Sequence, residues 1–81
     1  MVMVPSVHMN GTGRDELLQQ LVDAITATEA AIAALNQAMP NGRDYYVQSP
    51  TAIDVATREW RDRVIKVAEV HSELTKIAEA L

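Results

Sequence analysis

The sequence predicts an all-α fold, an antiparallel helical hairpin that assembles with further copies into an oligomeric helix bundle. Three observations carry this prediction. Two long stretches repeat apolar residues at helical spacing, a segment bounded by Pro40 and Pro50 separates them, and apolar residues make up 48% of the 81-residue chain. The predicted division is an arm at residues 1–12, a first helix, a loop at residues 39–49 and a second helix.

The first helix is predicted over about residues 13–38. Thr12 is placed at its N-cap, and Asp15 and Glu16 lie in its first turn, where acidic groups face the positive end of the helix dipole. Its apolar positions advance by alternating steps of three and four, a heptad pattern that predicts packing against another helix. These positions are Leu18, Leu21, Ile25, Thr28, Ile32, Leu35 and Met39.

The second helix is predicted over about residues 50–80, with Ser49 at the N-cap and Pro50 at the first helical position. Its apolar face contains Trp60, whose indole N–H requires a partner if it is buried. The face is formed by Ile53, Thr57, Trp60, Val64, Val67, His71, Leu74, Ala78 and Leu81. On the charged outer face, spacing i,i+4 predicts three ion pairs. They are Arg58–Asp62, Glu59–Arg63 and Asp62–Lys66.

The need for further copies follows from size. A domain this short buries only about 60% of its unfolded surface, and the chain has no cysteine, so disulfides are absent as a stabilising device. The two apolar stripes are also broader than one hairpin covers, so we expect copies to share a core. The arm is expected either as a frayed tail or as an apolar segment laid on a neighbouring subunit.

Composition excludes several functional classes. A net charge of −4 and a pI near 4.9 argue against binding of long nucleic acid. No apolar run approaches the roughly 18 residues of a membrane span, and no basic region opens a signal peptide, so a cytoplasmic protein is expected. His8 and His71 lie far apart, and no spacing indicates a catalytic or metal-binding cluster. We therefore expect no enzyme activity, no catalytic or metal-binding residue and no cofactor.

The loop contains the candidate ligand-binding residues. Arg43 offers planar, bidentate donors to a phosphate, and Tyr45 or Tyr46 offers a ring on which a base can stack. Asn41 shapes the turn beside them, and Arg14 is expected to join from a second subunit packed antiparallel. Together these residue types favour a small phosphate-bearing aromatic ligand.

A structural interpretation of the same residues remains open. Tyr45 and Tyr46 would fold over the open end of the bundle, and Arg43 would pair with Asp44 or with a helix C-terminus. In either case Gly42, following Asn41, is expected to adopt a positive φ in the turn. Neither of the common glycine-rich phosphate motifs is present in the chain.

Residues 41–46, with the helix end at residues 77–81, resemble small helical-hairpin proteins of phages and prophages. The resemblance covers about residues 40–81 and implies no reaction. In size and helical build the chain is also similar to phage proteins that sequester cyclic-nucleotide immune signals, the anti-CBASS and anti-Thoeris sponges. That similarity implies a ligand held where loops of different subunits meet, with Arg43 and a tyrosine as contacts.

The first hypothesis is therefore a non-enzymatic phage-type oligomer in the host cytoplasm that binds and sequesters a nucleotide immune signal. The alternative is a protein–protein adaptor or inhibitor that docks a partner through its helix faces. A secreted WXG-type hairpin shares the size, but the loop lacks the Trp-x-Gly turn of that class.

Overall fold

The computed structural model describes residues 2–81, and Met1 of the predicted arm lies outside the described residues. Two α-helices, α1 (Arg14–Gln37) and α2 (Ala52–Ala80), are joined by a connecting segment, residues 38–51. Their contacts run in opposite directions, because Leu35 meets Trp60 near one end while Arg14 meets Leu81 at the other. Residues 2–81 contain no strand. The predicted all-α antiparallel hairpin is confirmed.

The predicted heptad positions form the contact between the helices, which we call the seam. All seven positions of the first helix and all nine of the second are at least partly covered. None of them, and no other described residue, is fully buried. Each helix therefore covers only one side of the other, and the hairpin has a seam without an enclosed core.

Trp60 fixes the register of the two helices near the connecting segment. Its indole Nε1 donates a hydrogen bond of 2.7 Å to the carbonyl oxygen of Leu35. That carbonyl lies in the last turn of α1, where it also accepts the backbone N–H of Ala38 at 3.2 Å. The indole partner expected from the sequence is therefore a helix-end carbonyl, and α1 ends beside the largest side chain of α2.

Both predicted N-caps are wrong. The N-cap of α1 is Gly13, and that of α2 is Thr51; neither residue makes a side-chain capping hydrogen bond. Thr12 lies before the first helix, and Ser49 and Pro50 belong to a turn that precedes the second. The Ser49 carbonyl accepts the backbone N–H of the first residue of α2 at 3.4 Å, so a turn occupies the place of the expected cap.

The three ion pairs expected on the outer face of α2 do not form among the described residues. Arg63 instead holds its guanidinium carbon 5.5 Å from the centre of the Trp60 ring, a cation–π arrangement. The other charged side chains of this face are exposed to solvent. Solvation competes well with exposed ion pairs, whose net contribution is about 0–1 kcal/mol.

Residues 2–13 form neither helix nor strand. This segment contains a turn, in which the backbone N–H of Gly11 donates to the His8 carbonyl at 3.1 Å. Met3 and Met9 are 86% and 97% exposed. The described residues extend over 61 × 22 × 16 Å. The longest of these dimensions exceeds the length of a helix with the 29 residues of α2, roughly 43 Å.

Candidate functional site

The connecting segment is built on a short 3₁₀ turn, Gly42–Asp44. Asn41 caps this turn, because its side-chain Oδ1 accepts the backbone N–H of Arg43 at 2.9 Å. No described glycine has a positive φ, so the left-handed turn expected at Gly42 is wrong. The asparagine side chain stabilises a right-handed turn where the Asn-Gly pair predicted a left-handed one.

The two tyrosines follow in further hydrogen-bonded turns. The backbone N–H of Tyr46 donates to the Gly42 carbonyl, and that of Gln48 to the Tyr45 carbonyl, both at 3.0 Å. Tyr45 is partly covered, whereas Tyr46 is 73% exposed. The two rings thus differ: Tyr45 lies against the protein, as the structural interpretation expects, and Tyr46 presents its ring to solvent.

Arg43 is exposed on the same segment. Within residues 2–81 its guanidinium makes no hydrogen bond and no ion pair, and the neighbouring Asp44 does not engage it. Its five N–H donors therefore remain available for an anion. The pairing of Arg43 with Asp44 that the structural interpretation expects is absent here.

Arg14 lies at the opposite end of the hairpin. Its Nε donates to the carbonyl oxygen of Leu81 at 3.0 Å, and Nη1 lies 3.9 Å from a carboxylate oxygen of Asp15. The intervening α1 has 24 residues, which corresponds to about 36 Å. One chain therefore brings together Asn41, Arg43 and the tyrosines but leaves Arg14 apart.

The described residues enclose no pocket at the connecting segment or elsewhere. Nor do residues 2–81 bring three acidic, histidine or cysteine side chains together as a metal site would require. Neither helix within this range is long and apolar enough to cross a membrane. The candidate site is thus an open surface carrying a free guanidinium and an exposed ring.

The largest feature of the surface lies on the helices. Exposed apolar side chains flank the seam, in addition to the half-covered seam residues; on the helices they include Val22, Val55, Ile65 and Val70. α1 also exposes most of its alanines, at positions 27, 30, 31, 33 and 34, and its C-cap residue Ala38 is exposed as well. Sequence reasoning treated these alanines as helix formers that permit close approach and did not count them as functional residues.

One side of the seam carries polar contacts between the helices. Nε2 of His71, 31% exposed, lies 3.2 Å from Oε1 of Glu29. Thr75 donates its hydroxyl to the His71 carbonyl at 2.9 Å. His71 is thus a seam residue in contact with a carboxylate of the other helix.

No protein-family model, curated protein or solved structure matches this chain.

Proposed function

We propose that this protein is a non-enzymatic, self-associating helical module that acts through its helix faces. Copies of the hairpin pair into a helix bundle, and the bundle docks a partner protein by helix packing as an adaptor or inhibitor. One observation carries the proposal: no side chain in residues 2–81 is fully buried, although nearly half of the chain is apolar.

The physical reason is the energetics of a two-helix unit. Burial of apolar surface stabilises a fold by about 25 cal/mol per Å². In a hairpin each helix covers only one side of the other, so only part of the apolar surface is removed from water. The conformational entropy of ordering, about 1–2 kcal/mol per residue for the backbone, must still be offset. A second layer of helices supplies the missing cover, as in other small scaffolds that lack disulfides and metals.

Sedimentation velocity across micromolar concentrations tests this proposal, together with circular dichroism on the same samples. We expect an oligomer whose helicity falls as dilution dissociates it, because folding and association are then coupled. A fully helical, stable single chain at micromolar concentration would overturn the proposal.

A second function is supported by a separate observation on the connecting segment: within residues 2–81 the Arg43 guanidinium has no ion-pair partner, and Tyr46, three positions later, is exposed. Here the oligomer captures a small phosphate-bearing ligand, such as a nucleotide immune signal, and so counters host defence in the cytoplasm of a phage-infected cell. Arginine binds phosphate through parallel N–H donors, and ring stacking on a base contributes roughly 1–3 kcal/mol.

Isothermal titration calorimetry distinguishes the two functions. The probes are cyclic di- and trinucleotides and ADP-ribose derivatives, added to oligomer confirmed by sedimentation. Capture predicts that Arg43→Ala abolishes the heat while the oligomer persists, and that Arg58→Ala, on the outer face of α2, leaves it unchanged. No heat from any probe would refute capture. Activity lost on mutating exposed helix residues, with Arg43→Ala silent, would favour the adaptor.

A further inference from the structure

The chain contains two asparagine–glycine pairs, Asn10–Gly11 and Asn41–Gly42, and both asparagines are exposed. Asparagine is among the thermally labile residues of proteins, because the backbone nitrogen of the next residue can attack its side-chain amide carbon. Glycine as the next residue favours this attack, since it has no Cβ to shield the nitrogen or to restrict rotation. The structure distinguishes the two pairs by the state of this nitrogen.

At Gly11 the nitrogen is engaged. Its N–H donates to the His8 carbonyl at 3.1 Å, which closes the turn in the N-terminal segment. The His8 imidazole also covers this glycine, because a Cβ added at Gly11 would lie 2.7 Å from Nε2 of that ring. The nucleophile of the Asn10–Gly11 pair is therefore held by a hydrogen bond and lies under a side chain.

At Gly42 the nitrogen is free. Within residues 2–81 its N–H makes no hydrogen bond, and a Cβ added at Gly42 would meet no atom within 4 Å. Its φ is not positive, so the 3₁₀ turn does not require a glycine at this position. The glycine thus leaves the nitrogen open to the asparagine side chain that precedes it, although the turn would accept an alanine.

We propose that Asn41 is a deamidation site, at which the chain replaces an amide by a carboxylate without an enzyme. Hydroxide removes the proton from the Gly42 nitrogen, which attacks Cγ of Asn41. The new N–Cγ bond closes a five-membered imide; the bond from Cγ to Nδ2 breaks, and ammonia leaves with a proton taken from water. Water then opens the imide. Cleavage of the N–Cγ bond gives aspartate, and cleavage at the main-chain carbonyl gives isoaspartate.

The reaction requires the turn to open. Asn41 is extended, with φ −113° and ψ 136°, and its Oδ1 accepts the N–H of Arg43 at 2.9 Å. Rotation about ψ brings Cγ onto the Gly42 nitrogen; it breaks this bond and the bond from the Asp44 N–H to the Asn41 carbonyl. Residues 41–44 are all exposed, so water replaces the lost partners. The rotation therefore leaves the seam between the helices intact.

The product changes the connecting segment in two ways, and neither depends on the functions proposed above. Its carboxylate adds one negative charge to the net charge of −4, two positions from Arg43, whose guanidinium has no ion-pair partner within residues 2–81. Aspartate keeps an oxygen that can cap the 3₁₀ turn, whereas isoaspartate adds one carbon to the main chain and alters the path of the segment. The modified residue is thus the one that shapes the candidate site.

Peptide mapping by mass spectrometry tests the proposal on the folded wild-type chain. Samples are incubated at a series of pH values from neutral to mildly alkaline, and circular dichroism confirms that they stay helical. We expect conversion of Asn41 to aspartate and isoaspartate at a rate that rises in proportion to hydroxide. Asn36, which lies inside α1 and precedes Gln37, should remain an amide in the same digests.

Gly42→Ala is the matched variant. The open space and the φ at this position accommodate the added Cβ, so helicity should be unchanged. The Cβ shields the nitrogen and restricts rotation, and conversion of Asn41 should slow by at least about tenfold, which corresponds to about 1.4 kcal/mol in the barrier. Equal rates in the variant and the wild type would refute attack by the Gly42 nitrogen.

Two outcomes in the wild-type chain would also overturn the proposal. Conversion at Asn10 with none at Asn41, in the same folded sample, would show that a free nitrogen does not decide which pair reacts. Conversion of Asn41 in urea but not in the folded chain would show that the turn protects this residue.

Discussion

Both helices contribute to the seam, but their outward surfaces differ. Beyond the seam, residues 26–37 of α1 include five alanines and one charged residue, Glu29, whereas α2 carries arginine, lysine, aspartate and glutamate along its whole length. Both surfaces are exposed in the single hairpin. The charged surface is stable in water, and the alanine surface allows another helix to approach closely. We therefore expect the self-association proposed above to involve the outward surface of α1 rather than that of α2.

The largest effect is expected from a charge on α1. Ala31→Glu places an unpaired carboxylate on this surface, where its removal from water in a contact between copies costs several kcal/mol per ion. Self-association should weaken by at least about 100-fold, as measured by sedimentation equilibrium. Ala33→Glu is the control and should leave the association constant nearly unchanged. Equal effects of the two variants would show that association does not distinguish the Ala31 side of α1 from the Ala33 side.

The second effect concerns the contact that the helices share. Trp60→Ala removes the largest seam side chain and its hydrogen bond to Leu35, and we expect a loss of roughly 2 kcal/mol or more in the free energy of unfolding. Trp60→Phe keeps a ring and loses only the hydrogen bond, so it should cost about 1 kcal/mol. Urea unfolding at one fixed protein concentration measures both. An equal loss in the two variants would mean that the hydrogen bond dominates.

A smaller effect is expected on the side of the seam with polar contacts. Glu29→Ala removes the carboxylate beside His71, and because Glu29 is 63% exposed the cost should stay below about 1 kcal/mol. Glu29→Gln retains an acceptor and should cost less. The comparison uses the same urea unfolding at pH 7. A loss as large as that of Trp60→Ala would show that this side is covered in the assembly.

The smallest effect is expected on the outer face of α2. Asp62→Ala removes a residue that sequence spacing placed in two ion pairs and that makes none within residues 2–81. The free energy of unfolding should change by no more than about 0.5 kcal/mol, as is usual for exposed positions. Self-association should also persist. A lower sedimentation coefficient for this variant would place the contact between copies on α2 and not on α1.

The sequence determined the parts that depend on periodicity. Apolar steps of three and four require one face of each helix to be covered, so the hairpin and its seam, including Thr28 and His71, were predictable. Two features of the connecting segment were less predictable: the Arg43 guanidinium has no partner within residues 2–81, and Tyr46 is exposed. Both depend on the path of that segment. That path is set by Asn41 and the turns after it.

The sequence by itself thus fixed two amphipathic helices and the segment between them, because helical spacing is a local property of the chain. Only the tertiary structure decided where Trp60 finds its acceptor, that Glu29 lies beside His71, and that Arg14 donates to the Leu81 carbonyl. Those outcomes depend on the register of one helix against the other. Register is set by contacts between residues distant in sequence, which local patterns do not encode.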